Sequence, residues 1–530
     1  MRPAGSPGTL FEAFSRIAAT AFRSERLVSC PTLSKAPNYG QVLRRFLLQT
    51  PDRPENALSL IRISLRYILT NGLHYCFMLL TLLYARLLAW KLPLALRPKN
   101  GALQEKPLFF IDTFAVLPRV AASKAFQDLY LPGLAEEAVA CGHEVMHIYR
   151  LYGSRNPLTL WKACKVFAKQ GNGLTEIHLL NFWDWLLLLR HALIYPISLY
   201  RLIRSLRHHP PASPEYHIHR ALIHTAGQCI LIGEARRLAA RRLGILLAYL
   251  PFSHRQGSNV SPFAIAAWHE NQTLNKAFYL GLAQAREKTG AHVPVTGAQL
   301  FIWPDTLLNN HPDDEEISLR LTPDRVLVNG PYFLPESTRQ HYAVGPSLRY
   351  GDLFGNLPDA SRSDRHADTL LVLLSYHPEE IRRVLSLALP LAQQNRTIVY
   401  KFHPATRPEA FTDLLPLSPV FAETSLKTAL QKAGAVLGSG SGSLAEAAAQ
   451  GIVVLNAEDP SGTAGLGLNY LPEFGKNLLW FPVRQPQDAQ RVLDSLSSRS
   501  PVTGEQIFAF RDLLFTEPTP ARIRETFRLC

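Results

Sequence analysis

The sequence predicts an α/β protein with two Rossmann-like domains, preceded by a helical, basic N-terminal extension. Three observations predict it. Strand-like and helical patterns alternate at short spacing from residue 369 to 455. A strand, a helix and a second strand follow one another between residues 108 and 148. The 530-residue chain is 47% hydrophobic and 18% charged, a composition that builds large cores and excludes disorder.

Residues 1–104 read as helical, basic and membrane-associated. Phe11–Arg23 is amphipathic with Glu12 inside it, so the start of the chain lacks the apolar stretch of a secretory signal. Tyr67–Ala85 carries no formal charge and approaches the length of a membrane span. Asn71, Gly72 and His74 interrupt it, and Arg62, Arg66, Arg86 and Lys91 flank both ends. An interfacial helix meeting anionic headgroups fits better than a span.

A first domain is expected over 105–345. Leu108–Ile111 is its first strand, a helix lies near Lys124–Cys141 with Gly142 as its C-terminal glycine, and Glu144–Ile148 is the second strand. Residues 156–215 form a basic helical insertion closed by His208–Pro214; within it Phe182–His209 has the aromatic and basic ends of another interfacial helix. Ala221–Leu250 reads as helices, or as a strand with helices, and Trp268–Thr289 as a helix. Arg325–Val328 and Tyr342–Val344 are strands ending in Gly330-Pro331 and Gly345-Pro346. A second domain is expected over 346–500, with a polar linker at 352–368 near its start, and a helical tail follows over 501–530. In that domain Thr369–Leu374, Thr397–Phe402, Ala435–Leu437 and Ile452–Leu455 are strands. Glu379–Gln393, Ser425–Ala433 and Ser443–Gln450 are the helices between them.

Charge is distributed unevenly. Of the net +14, residues 1–104 carry +10 and residues 150–260 carry +11, leaving −7 for the rest. A basic N-terminal half points to an anionic partner on one side. Its richness in Leu and Trp favours a lipid surface, and no nucleic-acid motif is present. The six cysteines include no C-x-x-C pair, so neither a zinc site nor a disulfide framework is implied, and a reducing compartment is expected.

Three constellations carry chemistry. Val436–Gly451 runs from a strand through a Gly/Ser loop into an alanine-rich helix. Small side chains let backbone amides approach an anion there, and Ser439, Ser441 and Ser443 add hydroxyls. Gly440-Ser-Gly442-Ser-Leu-Ala445 with Glu458 also has the outline of a dinucleotide fingerprint, but the helix after it is too short. Lys401-Phe402-His403-Pro404 ends a strand of the same expected sheet, where doubly wound folds bind ligands. Lys401 offers a fixed charge, and His403 a hydrogen bond or proton to a leaving phosphate. Trp268-His269-Glu270-Asn271-Gln272 groups an aromatic face with polar side chains, which suits a saccharide. Glu270 is a candidate base if burial raises its pKa, and an N-terminal helix acid otherwise. Asp112, expected at the end of the first strand, is a second base candidate or a turn residue. Arg349, at the crossing into the second domain, is a candidate phosphate ligand or a solvated arginine.

The K-x-H-P segment, the serine loop and the following E-A-x-x-x-G resemble the donor domain of GT-B enzymes of bacterial surface and capsular polysaccharide synthesis. These include CDP-glycerol glycerophosphotransferases, sialyltransferases and Kdo transferases. The resemblance covers roughly residues 340–480. It implies that His403 and Ser439, Ser441 and Ser443 meet the donor phosphate, and that Glu446 takes the ribose hydroxyls. Many such enzymes have a proline after the ribose acid where this chain has Gly451-Ile-Val-Val-Leu455.

The resemblance further implies a metal-independent glycosyltransferase that uses no cofactor. It would move a sugar from a CMP- or CDP-type donor, or a UDP donor, to a lipid-linked or membrane-near saccharide. It would lie in the cytoplasm, peripheral on the inner face of the cytoplasmic membrane. Two other readings stay open: a glycerophosphate or phosphosugar transferase of the same build, and a non-catalytic membrane-associated assembly protein.

Overall fold

The computed structural model describes most of residues 106–530, and Leu65 and Leu69 before them. Outside the description lie nearly all of residues 1–105, most of residues 176–230, residues 254–263, 305–311, 356–365 and 459–469, and several shorter stretches. The expected helices Phe11–Arg23, Tyr67–Ala85 and Phe182–His209 fall wholly or mostly there, as does much of the linker.

The first unit runs β1 Leu108–Val116, α1 Leu117–Ala122, α2 Leu134–Ala140, β2 Glu144–Tyr152, α3 Pro157–Gln170, β3 Gly173–Thr175, α4 Leu231–Ser253 and β4 Ala264–Trp268. It continues with α5 Thr273–Thr289, β5 Val295–Ala298, α6 Asp314–Ser318, β6 Arg325–Val328 and β7 Tyr342–Val344. Its seven strands are all parallel, in the order β3-β2-β1-β4-β5-β6-β7.

The second unit runs β8 His366–Leu374, α7 Pro378–Ala392, β9 Thr397–Phe402, β10 Val420–Phe421, α8 Leu426–Lys432, β11 Ala433–Gly438, α9 Ser443–Ala448, β12 Val453–Ala457, β13 Trp480–Val483 and α10 Pro486–Ser495. Its sheet is parallel too, in the order β10-β9-β8-β11-β12-β13. Each sheet reverses direction of growth beside its first strand, which is the doubly wound topology and the source of a crevice at the carboxyl edge. The chain therefore holds two Rossmann-like sheets, as its alternating pattern predicts.

Local chemistry sets the element ends. Asn156 caps α3 by accepting from the Leu158 amide, with Pro157 at the first helical position. Gln272 and Asn275 close a reciprocal capping box at the start of α5. α7 opens with Pro378 and carries Glu379 and Glu380 in its first turn. Alternation along β1 buries Phe110 under α4 and α5, and Phe109 and Ile111 on the opposite face. α4 and α5 meet closely because both carry glycine at the crossing: a Cβ on Gly281 would lie 2.0 Å from the Arg241 carbonyl oxygen.

The tail, α11 Gly504–Leu514 and α12 Pro520–Phe527, returns across the molecule. Phe510 and Phe515 join a core shared by both units, together with Ile302, Val326 and Trp480. Ile523 and Phe527 of α12 cover the first sheet beside Leu134 of α2. Arg524 pairs with Glu137 at 2.6 Å, and the His143 ring nitrogen meets the Leu529 carbonyl at 2.7 Å.

Four expectations are corrected here. Cys141 and Cys530 form a disulfide with a Cα–Cα separation of 5.5 Å, although they stand 389 residues apart and show no pairing signal in the sequence. The helix expected near Lys124–Cys141 is confined to α2. Trp268 ends β4 instead of opening a helix, because the apolar run before it is buried on both faces of the sheet. β1 extends to Val116, which places Asp112 mid-strand and not at its end. Among the described residues no helix is long and apolar enough to cross a membrane.

Candidate active site between the two sheets

The carboxyl ends of the central strands of both sheets face one crevice. On the first sheet, β4 delivers Trp268, His269 and Glu270 in succession. Trp268 is fully buried with its ring 4.4 Å from that of Phe114, so it cannot stack on a sugar. His269 is equally buried, beside Trp303. Both are therefore core residues, and the expected acceptor-binding role is corrected for each. Asp112 is corrected as well: it is buried in a two-pronged ion pair with Arg150, both N–O distances being 2.7 Å. A carboxylate so held accepts no proton from a substrate.

Glu270 differs from these neighbours. It is half-buried in the turn between β4 and α5. The next residue, Asn271, adopts a left-handed backbone with φ 48°, a conformation asparagine tolerates better than most side chains. A buried network holds that turn. The Asn271 amide donates to Glu316 at 3.1 Å, Lys276 pairs with Glu316 at 2.5 Å, and Asn275 donates to the Trp268 carbonyl at 2.8 Å. Gln272 donates to the Glu270 carboxylate. Burial pushes Glu270 up to about 7, against the Gln272 hydrogen bond and the positive charge of Arg349, which pull it down.

Arg349 follows β7 in a short 3-10 turn, Leu348–Leu353. Its exposed guanidinium lies over the Phe301 ring at 4.4 Å and the Tyr130 ring at 5.3 Å. It also lies within electrostatic reach of Glu446, which α9 of the second unit presents half-buried. Burial pushes Glu446 up to about 7 as well, with Arg349 acting against it. One guanidinium thus lies within electrostatic reach of two carboxylates, one from each unit. Tyr350 and Tyr470 complete the surround, and burial with the nearby carboxylates keeps their phenols protonated.

The aromatic wall on the first unit consists of residues the sequence reading missed. Tyr130 packs edge-on to Phe114 at 5.5 Å and to Phe301 at 5.9 Å, and Tyr152 to Phe114 at 6.1 Å. Asp128 fixes Tyr130 by accepting from the amides of Tyr130 and Leu131 at 2.8 and 3.0 Å and from Thr113 Oγ1 at 2.9 Å. The signal was available in Asp128-Leu-Tyr-Leu-Pro-Gly133, an Asx-turn followed by turn residues.

On the second sheet, the serine loop leaves β11 at Gly438. Ser439 is buried and its Oγ accepts from Arg383 at 2.7 Å, so it anchors the loop. Gly440 has φ +58°, and a Cβ there would lie 2.5 Å from the Glu380 carboxylate, which leaves room for glycine alone. Ser441 and Ser443 are half-buried, with Ser441 Oγ accepting the Ser443 amide at 3.3 Å. α9 has only six residues, shorter than a dinucleotide helix, and Glu458 pairs with Arg484 at 3.2 Å. A Cβ on Gly442 would come within 3.8 Å of Ile302 and 3.9 Å of Tyr470, so the loop faces the first unit.

His403 follows β9, and its amide donates to the Leu374 carbonyl at 2.9 Å. β8 lies between β9 and β11, pairing Leu373 with both Lys401 and Gly438. His403 and the serine loop therefore stand at the same sheet edge, about 10 Å apart at two strand spacings. The β8–α7 turn fills that interval: Tyr376 lies 5.4 Å from the His403 ring and 4.0 Å from the His377 ring. Burial, and then His377, hold the exposed His403 imidazole below 6.5, and burial lowers Lys401.

No family model matches the chain, and no curated protein sequence does. Solved structures with a similar course include the calicheamicin glycosyltransferase CalG4, at 12% identity and TM-score 0.39, covering 80% of this chain and 98% of that one. The glycosyltransferase SnogD from Streptomyces nogalater is similar at 14% identity and TM-score 0.38, with 80% and 100% covered. UDP-GlcNAc 2-epimerase from Methanocaldococcus jannaschii is similar at 9% identity and TM-score 0.41, again with 80% and 100% covered. At this degree of likeness, function rests on the crevice itself.

Proposed function

We propose that the protein is a glycosyltransferase that moves a sugar from a nucleotide-activated donor to a hydroxyl acceptor in the crevice between its two sheets. The observation that carries this reading is that Arg349 lies within electrostatic reach of both Glu270 and Glu446. Each residue has a distinct task. Glu446, beside the serine loop, accepts hydrogen bonds from the ribose hydroxyls. Arg349, with the amides and hydroxyls of Ser441 and Ser443, takes the negative charge of the donor phosphates. Lys401 and His403 supply further positive charge and a donor along the same edge. Glu270 is the base.

In the reaction, Glu270 removes the acceptor hydroxyl proton as that oxygen bonds to the anomeric carbon. The bond from the anomeric carbon to the leaving phosphate oxygen breaks, and the nucleotide departs with the electron pair, its charge offset by Arg349. A base with a pKa near 7 suits this task at neutral pH, since it combines an ionised fraction with adequate proton affinity. The Tyr130, Tyr152 and Phe301 wall offers ring faces to the acceptor, the role first assigned to Trp268. The donor is of the CMP or CDP type, with a UDP type as the alternative. The basic N-terminal half supports a lipid-linked or membrane-near acceptor.

Release of nucleotide from a panel of CMP-, CDP- and UDP-activated donors tests the reading. Glu270→Gln is expected to lower kcat by roughly 100-fold or more while leaving donor KM within a few-fold. The wild-type kcat/KM should rise with pH along a limb near 7. A Glu270→Gln enzyme with full turnover excludes the assigned base.

A further inference from the structure

A second cavity lies on the far side of the first sheet from the crevice. It has a volume of about 270 Å³ and opens at the amino edge, where β5, β6 and β7 begin. This is the low end of the range for small-molecule pockets, which run from roughly 300 Å³ upward, and it matches a ligand of monosaccharide size. Its polar lining comes from four separate elements. Arg286 projects from the last turn of α5, Arg320 follows α6, and His292 and His341 precede β5 and β7.

Three features mark it as built to hold an anion. First, Arg286 and Arg320 are exposed, and neither is engaged in an ion pair or side-chain hydrogen bond with another described residue. Two arginines line one space with a single acid, Asp324, among the lining residues. Asp324 is already engaged, with His292 at 2.7 Å and the Val295 amide at 2.7 Å. Second, Arg320 sits in the left-handed region at φ 55°. Glycine or asparagine would close α6 there at lower cost, yet the chain carries a long cation. The turn is pinned on both sides, by Glu316 against Lys276 and by the fully buried Leu321. Third, Tyr279 lines the cavity at 2% exposure, and its hydroxyl lacks a hydrogen-bond partner among the described residues. A buried phenol left in that state calls for a polar ligand atom.

We propose that this cavity is a non-catalytic site for a small phosphate monoester, with Arg286 and Arg320 holding the phosphate and Tyr279 bonding to the body of the ligand. Such a site reads the concentration of a phosphorylated metabolite at a place remote from the crevice. It is independent of the reaction assigned to the crevice.

Isothermal titration of the full chain with glucose 6-phosphate, with glucose as control, tests the proposal. Glucose 6-phosphate is expected to bind in the millimolar range or tighter and glucose not at all. Combining Arg286→Ala with Arg320→Gly, the latter suited to the backbone at that position, should weaken binding by roughly tenfold or more. Arg349→Ala, in the crevice, should leave it unchanged. Absence of glucose 6-phosphate binding to the unaltered chain overturns the proposal. So does binding that survives the double substitution or disappears with Arg349→Ala. Nucleotide binding measured on the same double variant reports on the crevice alone, so a failure there is told apart from a failure here.

Discussion

At the scale of single residues, Glu270 and Glu446 are the costly features of the molecule. Each is pushed up to about 7 by burial. Both groups bind a proton more tightly in the folded chain than in the unfolded one, where glutamic acid releases it near 4.5. Raising the pH from 4.5 therefore favours unfolding, and the loss is complete once the pH passes about 7. With allowance for solvent in a half-open crevice, each group costs on the order of 2 kcal/mol at pH 8. Replacing either with glutamine should raise Tm at pH 8 and leave it nearly unchanged at pH 5, and melts at the two pH values check this. A substitution that lowers Tm at pH 8 contradicts the assignment. Stability given up at a site in this manner is the usual mark of function. The sequence singled out Glu270 in the polar cluster after Trp268, Arg349 after an expected strand, and Glu446 through the resemblance to GT-B donor domains. The mistaken neighbours show the limit of such reading. Ala264–Trp268 is a short apolar run, and periodicity cannot separate a buried strand from the start of a helix. Placing Trp268 in a helix turned a core ring into a ligand-binding one.

At the scale of elements, the β4–α5 turn depends on α6. Lys276 and Glu316 are both fully buried, and Asn271 hangs on the same carboxylate. Removing one partner strands a charge in the interior. Glu316→Leu is expected to cost roughly 3–5 kcal/mol and to release Asn271 from its left-handed conformation, which displaces Glu270. Chemical denaturation of the variant reads the first effect, and a joint fall of stability and turnover reads the second. Lys276→Met combined with Glu316→Leu should recover much of the stability, since a matched apolar pair can replace a buried ion pair. A double variant no more stable than the single one contradicts the account. None of this network was visible beforehand, because its members are 40 residues apart and α6 is only five residues long. In the second unit, Thr397–Phe402 matches β9 and the expected helix from Glu379 matches α7 within one position, while β10, β13 and α10 were not read from the sequence. Alternation of short buried strands with amphipathic helices leaves few other solutions.

At the scale of the whole molecule, the tail ties the ends of the described chain together. α11 enters the core shared by both units, α12 covers the first sheet, and Cys530 bonds to Cys141. Serine pairs with this path as well: Ser347 exchanges hydrogen bonds with Thr516 at 2.8 and 2.9 Å. Closing so long a loop stabilises mainly by restricting the unfolded chain. Cys141→Ser should therefore lower stability by roughly 2–4 kcal/mol, and wild-type protein under reducing conditions should melt with the variant. An unchanged Tm in both cases removes the tether from the account. The cysteines carried no local spacing signal, so a pairing between the first unit and the last residue was illegible until the tail was placed.

The central claim is that the crevice binds a nucleotide through Arg349, whose charge reaches both Glu270 and Glu446. Isothermal titration of the full chain with CMP, CDP, UDP and GDP tests it most directly. The account predicts that at least one binds in the micromolar range and that Arg349→Ala weakens it by roughly tenfold or more. Failure of all four to bind, or undiminished affinity in Arg349→Ala, would contradict it.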